Sequence, residues 1–259
     1  VRKGGVVIAN GHDSNVRKVI KEYGNANDVR IETFGFESDC DFSAQNLELE
    51  DGLYSFDMHY HGKLLGPMRI SLPGRHNILN ALATAAMAIN AGIDSRKVLD
   101  SLSDFTGIDR RLMLKEKING ITVIDDYAHH PTEIKASLEA IRQRFEPARL
   151  WCVFQPHQHS RTRFLLDDFA ESFKLADTTI VPQIYFVRDS EAERKDINSQ
   201  ALVERISQKD TNAVFIESFG AISDYLVQNV NSGDVVVTMG AGDIWKVADE
   251  YIQRLRVNS

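Results

Sequence analysis

The stretch ITVIDDYAHHP, residues 121–131, carries more structural information than any other in this chain. Four residues of strand character, Ile121, Thr122, Val123 and Ile124, run straight into Asp125, Asp126, Tyr127, Ala128, His129 and His130. Pro131 then opens a helical pattern, where its missing N–H costs nothing because first-turn donors have no partner within the helix. The unit reads as strand, polar turn, helix. In open α/β sheets ligands sit beyond the carboxyl ends of the strands, so two carboxylates, a phenol and two imidazoles stand where chemistry usually occurs.

Working toward the C-terminus, a second strand over 149–154 empties into Gln155-Pro156-His157-Gln158-His159-Ser160-Arg161-Thr162-Arg163, so polar groups gather again at a strand end. Ser160 is placed to cap a helix that continues to Lys174. Strands over 178–181, 213–216 and 234–238 alternate with helices near 198–207, 221–229 and 243–255. That alternation implies an α/β fold with a mostly parallel, doubly wound sheet. Residues 189–196, DSEAERKD, read as a charged surface loop with no evident chemistry.

Working toward the N-terminus, Asn119-Gly120 is a strong two-residue hairpin turn, preceded by a strand over 112–117. Adjacent strand residues point to opposite faces, so only one of Arg110 and Arg111 is expected to face a given site, the other being a solvated charge. Residues 104–107 mark a domain boundary, giving domains over 1–104 and 105–259. The first contains a strand over 6–9, a helix over 13–23 and a strand over 29–34. An antiparallel meander of three strands follows over 42–72, with turns at Asp51-Gly52 and His61-Gly62-Lys63. His59 and His61 read as exposed strand residues, since no third metal ligand lies near them in sequence. An Ala-rich helix then runs to about Ala91, and another spans 95–102. Asn77 and Asn80 share a face near the start of the Ala-rich helix. Asn77 suits capping. Asn80 lies deeper among Ala and Leu, as a reader of a base edge or as a buried structural amide.

Composition narrows the classes. The chain has 259 residues, 43% of them hydrophobic, enough for two modest cores in a soluble globular protein. A net charge of −7 argues against a general nucleic-acid binder, which carries a broad basic face. Any anionic ligand must therefore be met by local cations. Cys40 and Cys152 fall in different domains and imply no disulfide, so a reducing cytoplasm is the expected setting. No apolar run approaches the ~18 residues of a membrane span, and no signal peptide is expected. The interior-strand character of GVVIAN at 5–10 implies a piece of a longer protein.

Three features invite over-reading. Met239-Gly240-Ala241-Gly242-Asp243 follows a strand and opens a helix, but lacks the third glycine and the room of a dinucleotide-binding unit. A glycine turn supporting a helix start near a ligand fits better. The histidine pairs 129–130 and 157/159 lack helical i,i+4 spacing and a cysteine partner, so no metal site is expected. The phosphate-loop signature is absent from the chain. What remains is a convergence of Asp125, Asp126, Tyr127, His129 and His130 with His157, Arg161 and Arg163, which would form a cleft of mixed charge if their strands are neighbours.

GRHNILNALATAA (74–86), GIDRRL (107–112), DDYAHHPTEI (125–134), FQPHQHSRT (154–162) and GAGDI (240–244) resemble, in order and spacing, the Mur ligases of peptidoglycan synthesis. The form of the third motif is most similar to the branch that joins L-alanine to UDP-N-acetylmuramate. The resemblance implies the back part of the family's central ATPase domain followed by its complete Rossmann-like C-terminal domain, without the UDP-binding domain or the phosphate loop. It implies a cytoplasmic enzyme in which ATP phosphorylates the muramoyl carboxylate and the alanine amine displaces phosphate, with most Mg²⁺ ligands outside this stretch. The stretch alone is then expected to be inactive.

Carried over by motif, Asn80 would contact adenine, with His76 and Asn77 beside the nucleotide. Arg111 would reach ATP phosphates, and Asp126 the ribose hydroxyls. Tyr127, His129 and Arg161 would hold alanine and the muramoyl end of the UDP-sugar. The family pattern FQPHRYSRT has Arg and Tyr where this chain has Gln158 and His159, and losing that arginine removes a fork suited to an anion. Gln158 is left as a weakened contact. The implied partners are small molecules, with no nucleic acid and no membrane. Two other readings are a ligase attaching a recycled peptide to the same sugar nucleotide, against which Tyr127 speaks, and a non-catalytic binding module, against which Asn80, Arg111 and Asp126 speak.

Overall fold

The structure, a computed structural model, describes residues 1–23 and 29–257. It forms two compact units, Val1–Thr106 and Gly107–Ser259.

The first unit contains β1 (Val6–Asn10), α1 (Ser14–Tyr23), β2 (Arg30–Gly35), β3 (Phe42–Glu50), β4 (Leu53–Tyr60), β5 (Lys63–Arg69), α2 (Arg75–Asn90) and α3 (Ser95–Ser103). Its sheet has the order β1-β2-β3-β4-β5, parallel across the first three strands and antiparallel across the last three. The meander expected over 42–72 is therefore present. Asp51 and Gly52, and likewise His61 and Gly62, take positive φ, the geometry that matches a two-residue turn to strand twist. Phe42, Met58, Ile78, Leu82, Ala85 and Ala86 are buried between the sheet and its helices. The alanines of α2 make that packing close, because a helix face without long side chains approaches a sheet directly. His59 is half-buried and His61 is exposed.

The second unit contains β6 (Met113–Ile118), β7 (Ile121–Asp126), α4 (Pro131–Phe145), β8 (Leu150–Phe154), α5 (His159–Phe164), α6 (Leu166–Ser172), β9 (Thr178–Val181), α7 (Glu191–Asp196), α8 (Ser199–Ser207), β10 (Ala213–Phe215), α9 (Phe219–Asn229), β11 (Val235–Met239) and α10 (Trp245–Val257). The sheet order is β10-β9-β8-β11-β7-β6, parallel throughout except for the β6–β7 hairpin. Asn119 and Gly120 turn that hairpin with φ of 53° and 77°. Strands β8 and β11 are buried along their whole length, as central parallel strands covered on both faces must be. Ile134, Leu138, Phe169 and Leu202 pack one face of the sheet, and Ile222, Leu226, Val247 and Tyr251 pack the other.

The expected adjacency of the two polar strand ends is corrected by this order. β11 lies between β7 and β8. Its register places Met239 opposite both Asp126 and Phe154, so the three strands end level and their polar extensions emerge along one edge. The helix expected from Ser160 to Lys174 is two helices, because the chain breaks at Leu165, and its cap position is Gln158 rather than Ser160. The charged loop expected over 189–196 contains α7, started by a reciprocal Ser190–Glu193 capping box. Cys40 and Cys152 are buried and unpaired. Among the described residues no helix is long and apolar enough to cross a membrane.

Candidate functional site

The turn after β7 is held rigidly. Asp126 is 3% exposed, and its Oδ1 accepts from the Ala128 amide at 2.7 Å and from Ser137 Oγ at 3.2 Å. Its Oδ2 accepts from the Leu112 amide at 2.7 Å. Burial pushes the Asp126 carboxyl upward, against the pull of those amides, of Ser137 and of Arg111. Both oxygens thus accept hydrogen bonds inside the fold, and the residue clamps the turn. Asp125 is also turned inward, with Oδ2 3.1 Å from Arg110 Nε and Oδ1 accepting from Thr238 Oγ1 at 2.7 Å. It does not join the cleft.

Clamping presents the next residues outward. Arg110 and Arg111 sit in a turn before β6, not in the strand, so alternation does not separate them. Both guanidinium groups lie over the Tyr127 ring, each 5.1 Å from its centroid. His129 Nδ1 is 3.0 Å from the Tyr127 carbonyl. A carbonyl only accepts, so in the neutral ring Nδ1 carries the proton and Nε2 remains an acceptor. Glu133 Oε2 accepts from the His129 amide at 2.9 Å. His130 is exposed and serves as the α4 cap, accepting from the Thr132 amide.

Opposite this turn, β8 delivers Gln155 and His157. The His157 ring lies 6.3 Å from that of His129 and stacks on Tyr185 at 5.5 Å. Residues 156–158 pair with Tyr185, whose amide donates to the Pro156 carbonyl at 2.8 Å and whose carbonyl accepts from the Gln158 amide at 3.2 Å. Burial lowers the His157 pKa, and the neighbouring Arg161, His129 and Arg188 lower it further. Gln155 Oε1, His157 Nδ1 and Arg161 Nη1 are buried without a hydrogen-bond partner among the described residues. Orphaned buried groups are costly, and these three gather at the strand edge. Gln158 takes φ of 72°, and its backbone is bonded at both ends. Arg163 pairs on the surface with Asp196 at 2.8 Å and takes no part.

The glycine turn after β11 closes the edge between the other two. A side chain at Gly240 would meet the Gln155 carbonyl at 2.8 Å, and one at Gly242 would collide with Gln155 Oε1 and meet the Tyr185 ring at 3.0 Å. Gln155 Nε2 donates to Asp243 Oδ1 at 3.3 Å. Gln155 and Gly242 stand in motifs named from the sequence without a role of their own, and Tyr185 and Asp189 carry no site signal there. For the segment that holds Asp189 the available signal was S-x-x-E at 190–193, a helix-start pattern inside an otherwise featureless charged run.

His76, Asn77 and Asn80 lie on α2 in the first unit. Gly74, not Asn77, occupies the cap position. Asn77 Nδ2 donates to the Pro73 carbonyl at 2.8 Å and its Oδ1 accepts from Asn80 Nδ2 at 3.2 Å. Asn80 is exposed, so the buried structural amide is excluded. Among the described residues no three His, Cys, Asp or Glu side chains converge to hold a metal ion.

A level strand edge on a doubly wound sheet, bearing Tyr127, His129, His157 and Arg161, is where an α/β protein of this class binds its ligand. The chain belongs to the Mur ligase family: residues 110–242 match the Mur ligase glutamate ligase domain and residues 1–88 the Mur ligase middle domain. It is 41% identical over 249 residues to a UDP-N-acetylmuramate–L-alanine ligase of Alkaliphilus metalliredigens, covering 96% of this chain and 52% of that protein. With the enzyme of the same name from Caldanaerobacter subterraneus it shares 39% over 250 residues, 96% and 53% of the two chains. Among solved structures, the UDP-N-acetylmuramate-alanine ligase of Thermotoga maritima superposes with a TM-score of 0.73 at 24% identity, over 98% of this chain and 60% of that one. The chain spans about half the length of the curated relatives it matches.

Proposed function

We propose that this chain is the nucleotide- and acceptor-handling part of a cytoplasmic, ATP-dependent ligase that joins L-alanine to the carboxylate of UDP-N-acetylmuramate. The first unit would be the back of the family's central domain and the second its C-terminal domain. The observation that carries the reading is the set of buried, unpartnered polar atoms on Gln155, His157 and Arg161, which brings an amide oxygen, an imidazole nitrogen and a cationic donor to one strand edge.

ATP is a substrate in this reading. Its γ-phosphoryl group passes to the muramoyl carboxylate, and the alanine amine then attacks the acyl carbon, expelling phosphate and leaving the amide. Asn80 would read the adenine edge, with His76 and Asn77 beside it. Arg111, exposed, would reach the phosphates. Arg161 with His157, and Tyr127 with His129, would fix the muramoyl and alanine ends. Fixed cations aimed at developing charge supply the largest share of catalysis, and alignment of the amine supplies more. His129 Nε2, an acceptor, is suited to orient an ammonium or take its proton. Asp126 acts by clamping the turn.

The test uses the chain carried at the length of its curated relatives, following phosphate release with UDP-N-acetylmuramate, ATP and Mg²⁺. Release that requires L-alanine is expected. Release only with a murein tripeptide, or none with either, overturns the assignment.

A further inference from the structure

The α5 helix begins badly by its own means. Gln158 stands at its cap in a left-handed conformation, φ 72°, and offers no side-chain hydrogen bond. A helix start leaves amides unpaired and carries partial positive charge, and here it lies beside Arg161, Arg188 and His157. The carboxylate of Asp189, 1% exposed, supplies what is missing from thirty positions away. Its Oδ2 accepts from the His159 amide at 2.5 Å and lies 3.4 Å from His159 Nδ1. Its Oδ1 accepts from Ser160 Oγ at 2.6 Å and from the Ser160 amide at 3.4 Å. Burial raises the carboxyl's pKa, but these hydrogen bonds outweigh it and hold it below the usual range.

The contacts tie two segments together. One is α5, which carries Arg161. The other is the stretch leading to Asp189, in which Tyr185 pairs with 156–158 and stacks on His157. We propose that Asp189 is a positioning residue, capping α5 from outside the helix and thereby holding both Arg161 and the His157–Tyr185 stack at the anion-binding edge. The inference rests on the proposed function for its kinetic consequence but not for its structural one. It also means that the α5 N-terminus is filled by the protein's own carboxylate, so a substrate anion is left to Arg161.

The experiment compares wild type, Asp189→Asn and Asp189→Ala. In this chain, Asp189→Ala is expected to speed hydrogen exchange at the His159 and Ser160 amides about tenfold or more and to abolish the nuclear Overhauser contact between the His157 and Tyr185 rings. Core amides of β7 and β11 stay protected. Asp189→Asn, which keeps one acceptor, recovers part of both signals. In the full-length ligase, Asp189→Ala raises KM for UDP-N-acetylmuramate about tenfold while KM for ATP moves less than about twofold. Unchanged exchange, a retained ring contact, or a parallel rise in both KM values with loss of core protection overturns the proposal. A wild-type ligase inert toward UDP-N-acetylmuramate overturns the proposed function instead, and the exchange and ring-contact results still decide the role of Asp189.

Discussion

Arg110 and Asp125 form an ion pair that fastens three elements at once. Arg110 Nε lies 3.1 Å from Asp125 Oδ2, while Nη2 donates to the Gly240 carbonyl at 2.6 Å. The turn before β6, the end of β7 and the glycine turn after β11 are thereby fixed to one another. Asp125 is buried, and burial raises its carboxyl pKa against the opposing pull of Thr238 and Arg110. Removing the arginine leaves a buried charge poorly compensated. Arg110→Ala is expected to cost about 3 kcal/mol, and Arg110→Ala with Asp125→Asn less than the single change, because the stranded charge is gone. Urea unfolding of the three proteins checks this, and a double variant much weaker than Arg110→Ala would count against it.

His157 should titrate below its ordinary 6.5, first because it is buried and then because Arg161, His129 and Arg188 repel its proton. A folded pKa below the unfolded one means that the unfolded chain binds more protons between the two values. This group's contribution to stability is therefore complete above 6.5 and declines as pH falls from 6.5 to the folded pKa. Arg161→Ala should raise the midpoint only in part, since burial is the larger cause. Following the imidazole C–H resonances against pH measures both. A midpoint at or above 6.5 in the wild type would show that the ring is neither buried nor crowded by cations.

The contrast between Asn77 and Asn80 separates folding from recognition. Asn77 holds the chain ahead of α2 through the Pro73 carbonyl, whereas Asn80 is exposed and its amide nitrogen donates to Asn77 Oδ1. Asn77→Ala should cost about 1 kcal/mol of stability. Asn80→Ala should change stability by no more than about 0.5 kcal/mol. In the full-length ligase it should nevertheless raise KM for ATP about tenfold or more, the cost of an unmade base-edge contact. Nucleotide titration calorimetry with thermal unfolding distinguishes the two. An Asn80 variant with unaltered nucleotide affinity removes it from the adenine site.

Residues 121–131 were legible because each signal in them is local: β-branched residues for β7, a polar turn, Pro131 at the first helical position. The same holds for Asp51-Gly52, His61-Gly62 and Asn119-Gly120, where the dihedral need is met by the residue that stands there. Strand order was not local. Nothing in Val235–Met239 says that it pairs between β7 and β8, because a valine-rich strand buried on both faces fits any central slot. For the same reason Asp125 and Asp126 looked like cleft carboxylates, although their partners, Arg110, Thr238, Ser137 and the amides of 112 and 128, turn both inward. Asp189 was invisible because its partners lie thirty positions upstream and its neighbours are charged and exposed.

The glycine turn after β11 gives the sharpest separation of backbone from site. Gly240 has φ of 150°, and an added methyl would strike the Gln155 carbonyl, a backbone atom that cannot step aside. Gly240→Ala should therefore cost about 2 kcal/mol. At Gly242 the obstacles are side-chain atoms, Gln155 Oε1 and the Tyr185 ring. Gln155 is held by its bond to Asp243, and Tyr185 by its stack on His157, so a methyl there must disturb one or the other. Gly242→Ala should cost only about 1 kcal/mol of stability, yet shift the His157 and Tyr185 ring resonances and raise KM for UDP-N-acetylmuramate. Urea unfolding ranks the two variants, and the ring resonances report the site. If Gly242→Ala leaves those resonances unmoved, Gln155 alone has yielded, and Tyr185 is not fixed against the turn as the geometry requires.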